Sequence, residues 1–131
     1  MDYIVDIINN YEADLQKVKQ SGYALQFVKK QTPELCLAAV KQYGLSLQFV
    51  KEQTPKLCLE AVKQHGYALQ FVKNQTYELC LEAIKQNGRT LEFVKEQTYE
   101  LCLAAVKKNR YSLNYVRDPL IKAQIKLELQ L

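Results

Sequence analysis

Four cysteines stand 22 residues apart, at Cys36, Cys58, Cys80 and Cys102. Thiolates are common zinc ligands, but a tetrahedral site needs them on one ion, in spacings such as Cys-x-x-Cys. Here each Cys holds the same place in a successive repeat. Stacked helices lie about 8–10 Å apart, so the four form a row and do not converge. That spacing also exceeds the roughly 7 Å limit on Cα separation for a disulfide. The expected state is a buried free thiol serving as a small hydrophobe, with no metal and no cofactor. His65 is the only histidine, and its counterparts are Tyr43, Asn87 and Asn109. A repeat-variable His with no fixed acid or nucleophile beside it makes a poor general base. No nucleophile elbow, phosphate-binding Gly loop or metal motif is present. The expected protein is not an enzyme.

Recognition chemistry remains, and two sets of residues could carry it. The first is cationic. Lys29, Lys51, Lys73, Lys95 and Arg117 recur in register, as do Lys41, Lys63, Lys85 and Lys107. A regular row of cations suits a phosphate backbone. Against it, Glu52, Glu96 and Asp118 adjoin the first row, and Glu60, Glu78, Glu82 and Glu100 lie near the second. Mixed charge is the ordinary dress of a solvated helix face. The second set is where the repeats differ. Around the repeat glycines stand Ser21 and Tyr23, Tyr43 and Leu45, His65 and Tyr67, Asn87 and Arg89, and, around Arg110, Asn109 and Tyr111. These side chains are rich in the types that anchor protein interfaces. Tyr23, Tyr43, His65, Tyr67, Arg89 and Tyr111 are therefore the candidate partner-binding residues; neutral drift on an exposed loop is the competing explanation.

The elements that must position them come from the repeat. Gly22, Gly44, Gly66 and Gly88 recur every 22 residues, as do Thr32, Thr54, Thr76 and Thr98. Tyr23–Gly44 and Leu45–Gly66 agree at sixteen of 22 positions. Each unit reads as two short helices. Thr32 is an N-cap, Pro33 suits the first helical position, and Glu34 faces a favourable dipole. That helix runs to Gln42, and Gly44 is expected to end it in the left-handed conformation. A shorter first helix covers Ala24–Lys30, with Ala24, Leu25, Phe27 and Val28 facing inward. Neither is long enough to stand alone. The expected architecture is an all-α, right-handed α-solenoid in one domain, 1–131. Its parts are an N-terminal cap (1–22), repeats at 23–44, 45–66, 67–88 and 89–110, and a partial repeat with a capping helix (111–131). In the first cap, Met1–Ile8 is expected to form a separate partner helix; in the last, Leu120–Leu131 either caps the stack or seeds a dimer.

The formal charge of +4 is mild and demands no acidic partner. No apolar run approaches the roughly 20 residues of a membrane span, and Met1–Asp6 has no signal-peptide character. A cytoplasmic protein is expected, in which free thiols are the default.

The string Ala-Val-Lys-Gln-His-Gly-Tyr-Ala-Leu-Gln-Phe-Val at Ala61–Val72 resembles an uncharacterised tandem-repeat family, a domain of unknown function found in giant viruses, phages and bacteria. The resemblance runs from Tyr11 to about Val116. It departs at the link, where this chain has Thr-Pro or Thr-Tyr and the family more often has acidic residues. It implies a helical array of viral or bacterial origin and carries no activity. The expected function is a binding scaffold for a protein, such as a host factor, with nucleic-acid binding through the lysine row as the alternative.

Overall fold

The computed structural model describes residues 2–131, and within them every regular element is helical. Six α-helices, α1 (Asp2–Gln20), α2 (Pro33–Gln42), α3 (Pro55–Gln64), α4 (Tyr77–Gln86), α5 (Tyr99–Lys108) and α6 (Pro119–Leu129), alternate with five 3₁₀ helices. The latter are η1 (Gly22–Phe27), η2 (Gly44–Phe49), η3 (Gly66–Phe71), η4 (Gly88–Phe93) and η5 (Arg110–Tyr115). Each α-helix packs on the next α-helix and each η on the next η. The result is a helical-repeat solenoid.

The α-helices begin as their caps dictate. Thr32, Thr54, Thr76 and Thr98 each accept a hydrogen bond at Oγ1 from the backbone N–H three residues on, at 3.2 Å. Leu35, Cys36, Ala39 and Val40 of α2 are buried, as are their copies. Ala38, on the flank of that face, is half-buried.

The shorter helix differs from expectation in kind. It is 3₁₀, not α, and starts at the glycine. Ala24 N–H donates to Ser21 O at 3.0 Å and Val28 N–H to Leu25 O at 3.1 Å. A 3₁₀ helix repeats every three residues, and Gly22, Leu25 and Val28 form its buried line. Phe27, expected in the core, is 79% exposed. Its copies Phe49, Phe71 and Phe93 are half-buried because each has a preceding η helix to lean on; Phe27 has none.

The repeat glycine also plays another part. No glycine has positive φ, and α2 ends instead on extended Tyr43, at φ −154°. What excludes a side chain is proximity. A Cβ on Gly44 would lie 2.8 Å from Ala61 O and 2.9 Å from Gln64 Oε1. The glycine lets η press its backbone on the last turn of the following α-helix, where Ala39, Ala61, Ala83 and Ala105 are wholly buried.

Glutamines join one repeat to the next. Gln53 Nε2 donates to Phe71 O at 2.7 Å, and its Oε1 accepts from Lys73 N–H at 3.0 Å. Gln31, Gln75 and Gln97 repeat the arrangement. Each clamp satisfies the backbone where the chain leaves the next 3₁₀ helix, groups that helix cannot bond internally. On the other side, Gly66 N–H donates to Gln86 Oε1 at 2.8 Å while Gln86 Nε2 donates to Val62 O at 2.6 Å.

The first cap is a correction. Asp2–Gln20 is one continuous helix, with no break after Ile8; Met1 lies outside the described residues. Polar Asp6, Asn9 and Asn10 hold no turn-forming Gly or Pro between them, so nothing stops the helix. At the other end, Asp118 caps α6 by accepting from Leu120 N–H at 2.8 Å, and Ile125 is buried beneath it.

Candidate recognition edge

The residues flanking the glycines come together through the turns that α-helix and η share. Tyr43 is at once the C-cap of α2 and the N-cap of η2, so its ring is held at the seam between repeats. Tyr23 and Tyr43 meet with ring centroids 5.0 Å apart and their hydroxyls at 3.3 Å. This hydrogen bond to Tyr23 holds the Tyr43 phenol above its ordinary pKa, with burial adding to it. Tyr43 meets His65 edge-on at 6.4 Å, and His65 meets Tyr67 at 5.9 Å. Asn87 Nδ2 donates to Tyr67 Oη at 3.1 Å. Arg89 donates to Tyr115 Oη at 3.0 Å and lies over that ring at 5.9 Å.

Five of the six expected residues thus lie in contacts along one edge. Tyr111 does not join them: it stands 75% exposed, with no following η helix beside it. Reasoning from sequence missed three members. Phe49 packs on Tyr23 and Phe93 on Tyr67, each at 5.8 Å, and Tyr115 on Arg89. The signal was a constant offset of 26 residues between each pair. Asn87 and Asn109 have a local duty too: each Oδ1 accepts from the N–H two residues on, at 3.0 Å, capping η4 and η5.

The neighbours of the His65 ring are the aromatic rings of Tyr43 and Tyr67. Among the described residues no three His, Cys, Asp or Glu side chains gather as a metal would require, and no helix is long and apolar enough to cross a membrane.

The model of a family described as a domain of unknown function (DUF4116) matches residues 15–54, 32–76, 54–98 and 76–121, in overlapping windows that follow the repeat. The chain belongs to the DUF4116 family. No curated protein and no solved structure matches it.

Within these DUF4116 units the cysteines serve the clamp. Cys36, Cys58, Cys80 and Cys102 are buried free thiols, and Cys58 Sγ donates to Gln53 Oε1 at 3.5 Å, with the same contact in the other three. Burial raises all four pKa values above the ordinary 9.0. For Cys102 the rise reaches about 11, chiefly from burial, with Asp118 adding to it and Arg117 opposing it. Because the folded values are raised, the stability they contribute is complete below pH 9 and is lost as pH climbs above it, for Cys102 up to about 11. The thiols should resist iodoacetamide at pH 8 and react once the chain unfolds in urea. Rapid labelling of all four in the native protein would contradict this placement.

Part of the cation row of the DUF4116 units also bonds along the surface of the stack. Lys73 Nζ donates to Lys51 O at 3.2 Å, Lys95 Nζ to Lys73 O at 3.1 Å, and Arg117 to Lys95 O at 3.0 Å. Each cation thereby satisfies a carbonyl of the preceding repeat. All five cations of the row, Lys29, Lys51, Lys73, Lys95 and Arg117, are exposed.

Proposed function

We propose that this chain is a non-enzymatic helical-repeat scaffold that holds a protein partner along its aromatic edge. The observation that carries this reading is the joining of repeat-variable side chains, from Tyr23 and Tyr43 through His65 and Tyr67 to Arg89, on a stack whose invariant Thr, Cys, Gly and clamp Gln residues have structural duties. Tyr and Arg are the types that carry binding energy at interfaces. Their packing against one another before any partner arrives lowers the ordering cost of association. The viral and bacterial setting of the family favours a host factor in the cytoplasm as that partner.

The alternative is RNA or DNA bound along Lys29, Lys51, Lys73, Lys95 and Arg117, a row that is exposed throughout, although Lys73, Lys95 and Arg117 each spend part of their donor capacity on carbonyls of the stack. It predicts oligonucleotide binding that weakens steeply with salt.

Replacing Tyr43, Tyr67 and Arg89 together with Ala is the test. Affinity capture from the native cell, compared side by side, should lose the partner with the variant while the helical circular dichroism stays unchanged. Equal capture by both proteins would refute the edge.

A further inference from the structure

The last junction of the aromatic edge is built differently from the others. Tyr23 meets Phe49 and Tyr67 meets Phe93, ring against ring. At the same offset along the chain Arg89 meets Tyr115. Arg89 is the only cation at its place in the repeat, where its counterparts are Tyr23, Leu45, Tyr67 and Tyr111. Tyr115 carries the only hydroxyl at a place held elsewhere by Phe27, Phe49, Phe71 and Phe93. Both members of the pair thus differ from their counterparts, and the differences fit each other. Arg89 Nη2 donates to Tyr115 Oη at 3.0 Å, and the guanidinium carbon lies 5.9 Å from the ring centre. Stacking requires no charge here, since Leu45 fills the equivalent place and packs on the core.

The backbone beneath the guanidinium is pinned as well. Asn87 Oδ1 accepts from the Arg89 N–H at 3.0 Å, while Asn87 Nδ2 donates to Tyr67 Oη at 3.1 Å. A chain of hydrogen bonds therefore runs through Tyr67, Asn87, Arg89 and Tyr115, all at places where the repeats differ, and it holds an exposed cation. Arginine has five N–H donors in a planar fork, and Tyr115 takes one of them. A fork already fixed in place loses little freedom when it closes on two oxygens.

We propose that Arg89 receives a carboxylate of the protein partner, an Asp or Glu side chain, and that Tyr115 is the residue that positions it. The inference rests on the aromatic edge as the binding surface and names the chemistry a partner must bring to it. The Tyr115 hydrogen bond, and to a lesser degree Glu92 on the same 3₁₀ helix, hold the Arg89 pKa above its usual value. Glu92 also lowers the local positive field, which suits a singly charged carboxylate better than a phosphate dianion.

NMR of the arginine side-chain N–H groups tests this on the full chain, with three probes. These are the peptide acetyl-Tyr-Glu-Glu-Tyr-amide, the same peptide with Gln for Glu, and phenyl phosphate. The Glu peptide should shift the Arg89 Nε–H saturably and leave Arg110 and Arg117 in place, and the Gln peptide should bind at least tenfold more weakly. Tyr115→Phe, which restores the ring found in the other repeats, should raise the Kd of the Glu peptide about tenfold with an unchanged melting curve. Arg89→Lys, keeping the charge without the fork, should do the same, and Glu92→Gln should tighten binding about twofold. No saturable shift at Arg89, equal binding of the Gln peptide, tighter binding of phenyl phosphate, or an unchanged Kd in Tyr115→Phe would overturn the proposal. The edge itself falls only if the Tyr43→Ala, Tyr67→Ala, Arg89→Ala variant still captures its partner, so the two failures are told apart.

Discussion

Gly44→Ala should destabilise the protein by about 2–3 kcal/mol, while Gly66→Ala should cost 1 kcal/mol or less. Neither glycine has positive φ, so on backbone grounds alone both changes would stabilise, by roughly 0.4–1 kcal/mol through the unfolded chain. The cost comes from space. At Gly44 the new Cβ would stand 2.8 Å from Ala61 O and 3.1 Å from His65 Cβ, and a helix backbone cannot yield. At Gly66 the nearest atom, Ala83 O, is 3.2 Å away, and a small shift suffices. Urea titration of both variants reads the difference. Equal losses at the two sites would point to a conformational need shared by every glycine, such as the left-handed cap.

Gln53→Leu should cost about 3 kcal/mol. Leucine keeps the side chain's bulk but strands Phe71 O, Lys73 N–H and the Cys58 thiol, all bonded to Gln53 in the native fold. Each buried group left without a partner costs roughly 1–3 kcal/mol, moderated where water reaches it, as at Lys73. In a solenoid the damage is local, because each repeat touches only its neighbours. Amide hydrogen exchange should therefore speed up in η3 and α3 well before α5. Uniform acceleration along the chain, or a loss below 1 kcal/mol, would contradict the clamp.

The repeat, the α-helices and their caps were legible because each has a local physical cause: threonine before a helix, proline within its first turn, apolar residues on one face. The short helices were misread as α because six residues fit either period. The three-residue spacing of Gly22, Leu25 and Val28 held the answer. The glycine was assigned to conformation because its position after a helix suggests a cap, whereas its true constraint is a neighbour 17 residues ahead, invisible locally. Gln31, Gln53, Gln75 and Gln97 were passed over for the same reason: their partners lie 18 and 20 residues on. At the edge, Tyr43, His65 and Tyr67 were found by their variability. Phe49 and Phe93 were not, since an invariant Phe in an apolar run reads as core.

The central claim is that the variable edge is the binding surface and the invariant residues are its support. Titration of the isolated captured partner into the wild-type chain and into the Tyr43→Ala, Tyr67→Ala, Arg89→Ala variant tests it most directly. Three interface anchors worth about 1–2 kcal/mol each predict a Kd raised at least a hundredfold, with a melting curve close to that of the wild type. An unchanged Kd in the folded variant would contradict the account.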